Sequence, residues 1–152
     1  RDDKHINIDN VINIDFINKI NNAVENGLNV IYCIGETLNE KENGRTYEVL
    51  EKQISEVLNN VEIKNIMIAY EPVWAIGTGK VPEADEIKEN IKFINDIIME
   101  KYEEKLDILY GGSVNDTNIG ELGTIKGLDG FLVGGASLDP NKVKGMLIEM
   151  EK

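Results

Sequence analysis

A single carboxylate stands at the end of an apolar run in the middle of this chain. The run IMIAY, residues 66–70, leads directly to Glu71, and Pro72 follows at once. A glutamate held between a strand-like run and a proline has a direction fixed by rigid backbone, which a general base needs. An isolated glutamate at a strand end is usually a solvated acid, so the prediction depends on the residues around it.

A loop with two glycines lies just beyond Glu71. The segment VWAIGTGK, residues 73–80, carries more apolar surface than an ordinary turn has reason to carry. This predicts a mobile flap that closes over a ligand. The string GTGK invites comparison with a nucleotide-binding P-loop, but that motif needs glycine at 74 and Ser or Thr at 81. This chain has Trp74 and Val81 there, so we interpret the loop as a lid.

Two further apolar runs end in paired glycines. Gly111-Gly112-Ser113 follows one run, and Gly134-Gly135 follows the next. Either pair alone would be explained as a tight turn between a strand and a helix. Glycine also lets backbone amides approach an anion closely, and neighbouring strand ends are a common phosphate site in barrels. Together the pairs predict a phosphate-binding site.

The elements that position these residues are predicted from hydrophobic patterning. Four apolar runs, residues 29–34, 66–70, 106–110 and 128–133, are typical of buried strands in a parallel sheet. The stretches between them have helical periodicity, as in Ile87, Ile91, Ile94 and Ile98. The helix after the third strand must be short. Alternation of strands and helices indicates an α/β fold whose strand ends share one rim.

Two positions predict where helices end and begin. Gly27 is typical of a helix C-cap before the first strand, and Asp139-Pro140 of an N-cap followed by proline in the first turn. No linker or domain boundary is evident in the 152 residues, which suit one domain or part of one.

Composition excludes several classes of function. The net charge of −12 argues against nucleic acid or an anionic membrane as a partner, and no run approaches the roughly 18 apolar residues of a transmembrane helix. The only cysteine, Cys33, allows no internal disulfide, which predicts a reducing, cytoplasmic compartment, and we expect it to pack in the core. We expect His5 and the run Glu40-Lys41-Glu42 to be solvated.

Several motifs together resemble the triosephosphate isomerase family. These are AYEPVWAIGTGK, NVIYCIGETL, YGGSV and GFLVGGASL, in the family's order and spacing, and the resemblance runs over the whole chain. It implies a (β/α)8 TIM barrel in the α/β class, of which this chain covers the last four βα units. Residues 1–152 would then form the C-terminal part of a single TIM-barrel domain.

The resemblance also implies an activity and a set of site residues. Glu71 would be the base that interconverts dihydroxyacetone phosphate and glyceraldehyde 3-phosphate through an enediolate. The substrate phosphate would be bound by Gly77, Ser113, Gly134 and Gly135. No metal or organic cofactor is implied. The family context implies a small phosphorylated triose as partner, a cytoplasmic homodimer, and a place in glycolysis and gluconeogenesis.

Two departures from the family pattern are visible. The family's substrate lysine and its electrophilic histidine have no counterpart here, and His5 does not fit that histidine's context. We therefore expect a C-terminal fragment that lacks groups needed for activity. The alternatives are a non-catalytic half-barrel that needs a complementing chain, or another phosphate-binding barrel enzyme.

The second departure concerns the lid. Pro82 lies where the family usually has a residue whose amide bonds the tyrosine of the YGGS motif, here Tyr110, when the lid closes. Proline has no N–H group. Either the closed lid is held differently in this chain, or the register of the resemblance shifts after Lys80.

Overall fold

Four parallel strands form the sheet of the computed structural model, which describes residues 14–76, 78 and 80–152. Their order in the sheet is their order in the chain. The strands are β1 (Val30–Ile34), β2 (Ile66–Tyr70), β3 (Ile108–Tyr110) and β4 (Gly130–Phe131). The predicted α/β fold is confirmed, although β3 and β4 are shorter than the apolar runs that contain them.

Helices connect the strands, as the periodicity predicts. They are α1 (Ile14–Glu25), α2 (Leu38–Glu42), α3 (Thr46–Leu58), α4 (Ala84–Tyr102), α5 (Ile119–Leu122) and α6 (Pro140–Met150). Short 3-10 helices lie at Val73–Ala75 and Gly135–Leu138. The single turn of α5 confirms the short helix expected after β3. Successive parallel strands joined by right-handed crossovers place these helices on one side of the sheet.

Both predicted helix caps are present. Gly27 has φ +74° and ends α1, a backbone conformation that side chains with a Cβ rarely adopt. The side chain of Asp139 accepts from the amide of Asn141, and Pro140 occupies the first turn of α6. These caps fix where the chain enters β1 and leaves the second glycine turn.

The core lies between the sheet and its helices. Buried strand residues alternate along β1, where Tyr32 and Ile34 pack against the helices while Ile31 and Cys33 point to the opposite face. Ile31 is 43% exposed. The expectation that β1 is buried on both faces is therefore wrong, and so is the expectation that Cys33 packs in the core. No described element covers the face on which Cys33 lies.

The run Glu40-Lys41-Glu42 lies on the short helix α2, where Glu42 is exposed, as expected of a solvated face, and Glu40 and Lys41 are half-buried. Thr37 and Glu40 form a capping box at the start of α2: the Glu40 amide donates to Thr37 Oγ1 at 3.3 Å, and the Thr37 amide donates to Glu40 Oε2 at 2.8 Å. This box makes a five-residue helix possible right after β1, and it brings Lys41 to the rim of the sheet.

Candidate active site

Glu71 lies at the carboxyl rim of the sheet, one residue beyond β2. Its amide donates to Ile34 O at 2.7 Å, which anchors the backbone to the neighbouring strand. Its half-buried side chain lies between Cys33, whose Sγ is 3.5 Å from Glu71 Oε1, and Gly111 on the other side. A Cβ added at Gly111 would lie 2.6 Å from Glu71 Cγ and 2.9 Å from Oε1. Residues of both neighbouring strands, Cys33 of β1 and Gly111 at the end of β3, thus limit where the carboxylate can lie.

Close backbone packing at Gly35 supports that placement. A Cβ added at Gly35 would lie 1.9 Å from the carbonyl oxygen of Glu71, so no other residue fits there without moving the rim. Gln53 of α3 fixes the same turn. Its side chain accepts a hydrogen bond from the Gly35 amide at 2.9 Å and donates one to the Gly35 carbonyl at 3.2 Å. The turn after β1 therefore holds the backbone of Glu71 in place.

A buried polar network holds Val73 and Trp74, the residues at which the predicted lid begins. Glu36 is completely buried, and its carboxylate accepts from Trp74 Nε1 at 3.0 Å and from the Tyr70 hydroxyl at 3.2 Å. Asn90 of α4, also buried, donates to that hydroxyl at 2.8 Å. The Val73 amide donates to Glu36 O at 2.9 Å. Each buried polar group of this network therefore has a partner, as burial requires.

The network also shifts the acid–base properties of its members. Burial raises the pKa of the Glu36 carboxyl above its ordinary value, and the hydrogen bonds from Trp74 and Tyr70 offset part of that increase. Burial, followed by the nearby Glu36 carboxylate, raises the pKa of the Tyr70 hydroxyl, which therefore stays protonated and donates. The Glu36 carboxylate is thus a costly charge that the Trp74 indole helps to stabilise.

Within the residues that the structure describes, the later part of the lid is hydrogen-bonded to its beginning at Trp74. Thr78 Oγ1 donates to the Trp74 carbonyl at 3.0 Å and accepts from the Lys80 amide at 3.2 Å. Ser113 Oγ donates to the carbonyl of Ala75 at 2.8 Å, so the first glycine turn touches the lid. Asn118 supports that turn by donating to the Ser113 carbonyl at 2.8 Å.

The amides of the two glycine turns have room for a ligand. Within the described residues, the backbone N–H groups of Ser113, Gly134 and Gly135 make no hydrogen bond. Gly134 and Gly135 are exposed, and a Cβ added at either would meet no atom within 4 Å. Internal packing therefore does not require glycine at these two positions. Because β3 and β4 are neighbours, the two turns lie side by side at the rim.

Tyr110 presents a different problem at the end of β3. Its ring is wholly buried, and its hydroxyl has no hydrogen-bond partner in the described part of the chain. A Cβ added at Gly112 would lie 2.0 Å from that hydroxyl, so the glycine makes space for the tyrosine. Burial raises the pKa of Tyr110, which keeps the hydroxyl protonated. A buried, unpartnered hydroxyl costs free energy in this conformation.

Comparison with known proteins matches this geometry to one family. The family model described as triosephosphate isomerase covers residues 9–150. The chain belongs to the triosephosphate isomerase family. The matched region contains β1 to β4, Glu71 and both glycine turns, so the resemblance noted from the motifs is confirmed.

Curated relatives carry the same name. The triosephosphate isomerase of Coprinopsis cinerea is 48% identical over 128 residues, which is 80% of this chain and 51% of that protein. That of Geotalea uraniireducens is 48% identical over 123 residues, 76% of this chain and 49% of the relative. That of Thermodesulfovibrio yellowstonii is 47% identical over 135 residues, 86% and 55%. The chain spans about half the length of the curated relatives it matches, and its four βα units are part of a (β/α) barrel.

The predicted site residues occupy the same rim with one exception. Glu71, Ser113, Gly134 and Gly135 all follow strand ends, and Ser113 contacts Ala75 at the start of the lid. Gly77 lies outside the described residues. In this conformation the Ser113 hydroxyl donates to the Ala75 carbonyl. The backbone amide of Ser113 is therefore the group of this residue that is open to a ligand.

Sequence reasoning missed three polar residues that support the site. Gln53 fixes the Gly35 turn, Asn90 completes the Glu36 network, and Lys41 contacts the Trp74 ring. Asn90 had a signal, because it interrupts the apolar face of α4 between Ile87 and Ile91. Gln53 and Lys41 had none, since each is a polar residue on a helix whose surface is otherwise polar.

The described residues form neither a metal site nor a membrane-spanning helix. No group of three or more His, Cys, Asp or Glu side chains is arranged to hold a metal ion. None of the described helices is long and apolar enough to span a bilayer.

Proposed function

We propose that the protein containing this chain is a triosephosphate isomerase in which Glu71 moves a proton between adjacent carbons of a phosphorylated triose. The observation that carries this proposal is the confinement of the Glu71 carboxylate between Cys33 and Gly111, at the rim where the lid begins. Position is the first requirement of a general base. The substrates are dihydroxyacetone phosphate and glyceraldehyde 3-phosphate, interconverted through an enediolate.

The substrate phosphate binds at the two glycine turns. The open amides of Ser113, Gly134 and Gly135, joined by that of Gly77 from the lid, provide N–H donors for the phosphate oxygens. A set of backbone amides binds an anion even on a chain of net charge −12. Lid closure then excludes water, which strengthens the electrostatics of the site and protects the enediolate from losing phosphate.

Activity also requires the rest of the barrel. The four strands leave β1 and β4 each with one neighbour in the described sheet, whereas a closed barrel of this class has eight strands. The lysine and histidine expected to stabilise the developing oxyanion are absent from residues 1–152, and that stabilisation is usually the largest contribution to catalysis. Residues 1–152 act as the C-terminal part of one TIM-barrel domain, in a cytoplasmic homodimer that serves glycolysis and gluconeogenesis.

The proposal is tested by changing Glu71 in the full-length protein. Glu71→Gln is expected to lower kcat by about a hundred- to ten-thousandfold. It should change the affinity for glycerol 3-phosphate by less than about threefold, because a base acts in the transition state. Glu71→Asp, which retracts the carboxylate by one carbon, should also lose most of its turnover. The matched control is Glu89→Gln, because Glu89 is an exposed residue of α4. This variant should have the kcat and the ligand affinity of wild type.

Near-normal turnover of Glu71→Gln would remove Glu71 from the role of base. The chain Arg1–Lys152 is assayed and sized in the same experiment. We expect no measurable isomerisation from it unless a complementing half is added. A monomer of this chain with turnover like that of the full-length protein would show that four βα units suffice, and would refute the assignment of residues 1–152 to part of a domain.

A further inference from the structure

The backbone N–H and C=O groups of Gly35 both depend on one side chain, that of Gln53 on α3. The Gly35 amide donates to Gln53 Oε1, and Gln53 Nε2 donates to the Gly35 carbonyl. Gly35 is buried, and within the described part of the chain these two groups make no other hydrogen bond. Buried peptide groups need partners, so loss of the Gln53 side chain would leave one donor and one acceptor unsatisfied.

Gln53 is itself held by the strand that it supports. The Tyr32 hydroxyl of β1 donates to the backbone carbonyl of Gln53 at 2.9 Å. Tyr32 is buried, and burial raises the pKa of its hydroxyl, which therefore stays protonated and donates. On the same helix, Ile54 and Val57 are buried in the core. Gln53 thus joins α3 to β1 at two points, Tyr32 and Gly35.

A displacement of Gly35 would reach Glu71 through direct contact of the two backbones. A Cβ added at Gly35 would lie 1.9 Å from the carbonyl oxygen of Glu71 and 2.5 Å from its carbonyl carbon, so no side chain separates them. The residue before Gly35 is bonded to the same segment, because the Glu71 amide donates to the Ile34 carbonyl. A shift of the Gly35 peptide therefore moves the backbone that carries the Glu71 carboxylate.

The pairing requires a neutral amide of the right length. An ionised glutamate at position 53 could accept from the Gly35 N–H but could not donate to its carbonyl, and a lysine could donate but could not accept. Asparagine has both groups on a side chain that is one carbon shorter. Glutamine presents an amide donor and an amide acceptor at the reach that Gly35 requires.

We propose that Gln53 is a positioning residue for the isomerisation, because its pairing with the Gly35 peptide sets where the backbone places Glu71. The inference rests on the proposed function, in which Glu71 is the base. Gln53 touches no reacting atom and lies away from the two glycine turns proposed to bind the phosphate. It therefore affects the geometry of proton transfer, and hence kcat, more than it affects ligand binding.

The test changes Gln53 in the full-length protein. Gln53→Met keeps the length and helix propensity of the side chain and removes both hydrogen bonds. A misplacement on the order of 1 Å costs about a hundredfold in rate, so kcat should fall by about ten- to a hundredfold. The affinity for glycerol 3-phosphate should stay within about threefold of wild type. Gln53→Glu keeps one of the two bonds and should lose less of its kcat than Gln53→Met.

Amide hydrogen exchange at Gly35, followed by NMR in the ligand-free protein, measures the pairing itself. It should be faster in Gln53→Met than in wild type. Lys52→Met changes an exposed neighbour on α3 and should alter neither kcat nor this exchange. Val57→Ala removes buried volume from the same helix, so it should lower the free energy of unfolding without lowering kcat. This second control separates positioning from a general loss of stability.

Wild-type kcat in folded Gln53→Met would overturn the proposal, and so would unchanged exchange at Gly35. An equal loss of kcat in Val57→Ala would also overturn it, because stability alone would then explain the effect. If Gln53→Met does not fold, Gln53→Glu decides, and wild-type kcat in that variant would refute the need for both bonds. Near-normal turnover of Glu71→Gln would refute the proposed function instead, and the exchange at Gly35 would still show whether Gln53 holds the turn.

Discussion

Gly111 limits where the Glu71 carboxylate can lie, and Gly111→Ala tests that limit directly. The new Cβ would stand 2.6 Å from Glu71 Cγ, whereas ordinary contact begins at 3.4 Å. The contacts to Cδ at 3.0 Å and to Oε1 at 2.9 Å are also too short. The clash involves the inner part of the side chain as well as its tip, so rotation of the carboxylate alone cannot relieve it. The whole side chain must move away from β3.

The expected effect is on catalysis more than on binding. A misplacement on the order of 1 Å costs about a hundredfold in rate, so kcat of the full-length Gly111→Ala enzyme should fall by about that factor. Overpacking should lower the free energy of unfolding by about 1–3 kcal/mol. Affinity for glycerol 3-phosphate should stay within about threefold of wild type, because Glu71 contributes little to ground-state binding.

Steady-state isomerase assays, ligand titration and urea unfolding measure the three quantities. Gly134→Ala is the matched control, because its Cβ meets open space. It should fold with unchanged stability and keep the Glu71 geometry, and any loss should appear in phosphate binding. If Gly111→Ala turned over substrate as fast as wild type, the confinement of Glu71 from β3 would have no catalytic role, and our reasoning about the rim would be refuted.

Two further predictions concern the buried polar groups. Burial raises the pKa of Glu36 above its ordinary 4.5, so its contribution to stability is fully present below about pH 4.5 and is lost as the pH rises through the elevated value of the folded state. Glu36→Gln should therefore gain stability relative to wild type between acid and neutral pH in urea unfolding. A difference that is constant with pH would contradict the shift. Tyr110→Phe removes a buried hydroxyl that has no partner in the described residues, and should leave stability unchanged or raise it by up to about 1 kcal/mol. A loss of more than 1 kcal/mol by thermal or urea unfolding would show that the hydroxyl is satisfied in solution.

The sequence alone determined the order of strands and helices and the rim on which the site lies. Apolar runs and helical periodicity depend only on which side chains avoid water, so they located β1 to β4 and the short α5. Parallel connection then places every strand end at one edge, and this predicts that Glu71 and the glycine turns lie on the same rim. The caps at Gly27 and Asp139 were equally readable, because they depend on local backbone chemistry.

Tertiary structure decided which polar residues support the site. Lys41 belongs to a charged run that is typical of solvated surface, yet the capping box of α2 turns it onto Trp74. Cys33 has the type of a core residue, but strand alternation places it on the face that no described helix covers, beside Glu71. These two contacts join residues 33 positions apart, for Lys41 and Trp74, and 38 positions apart, for Cys33 and Glu71. Local patterns carry no information on such pairs, because the distance between them is set only when the strands pair and the helices pack.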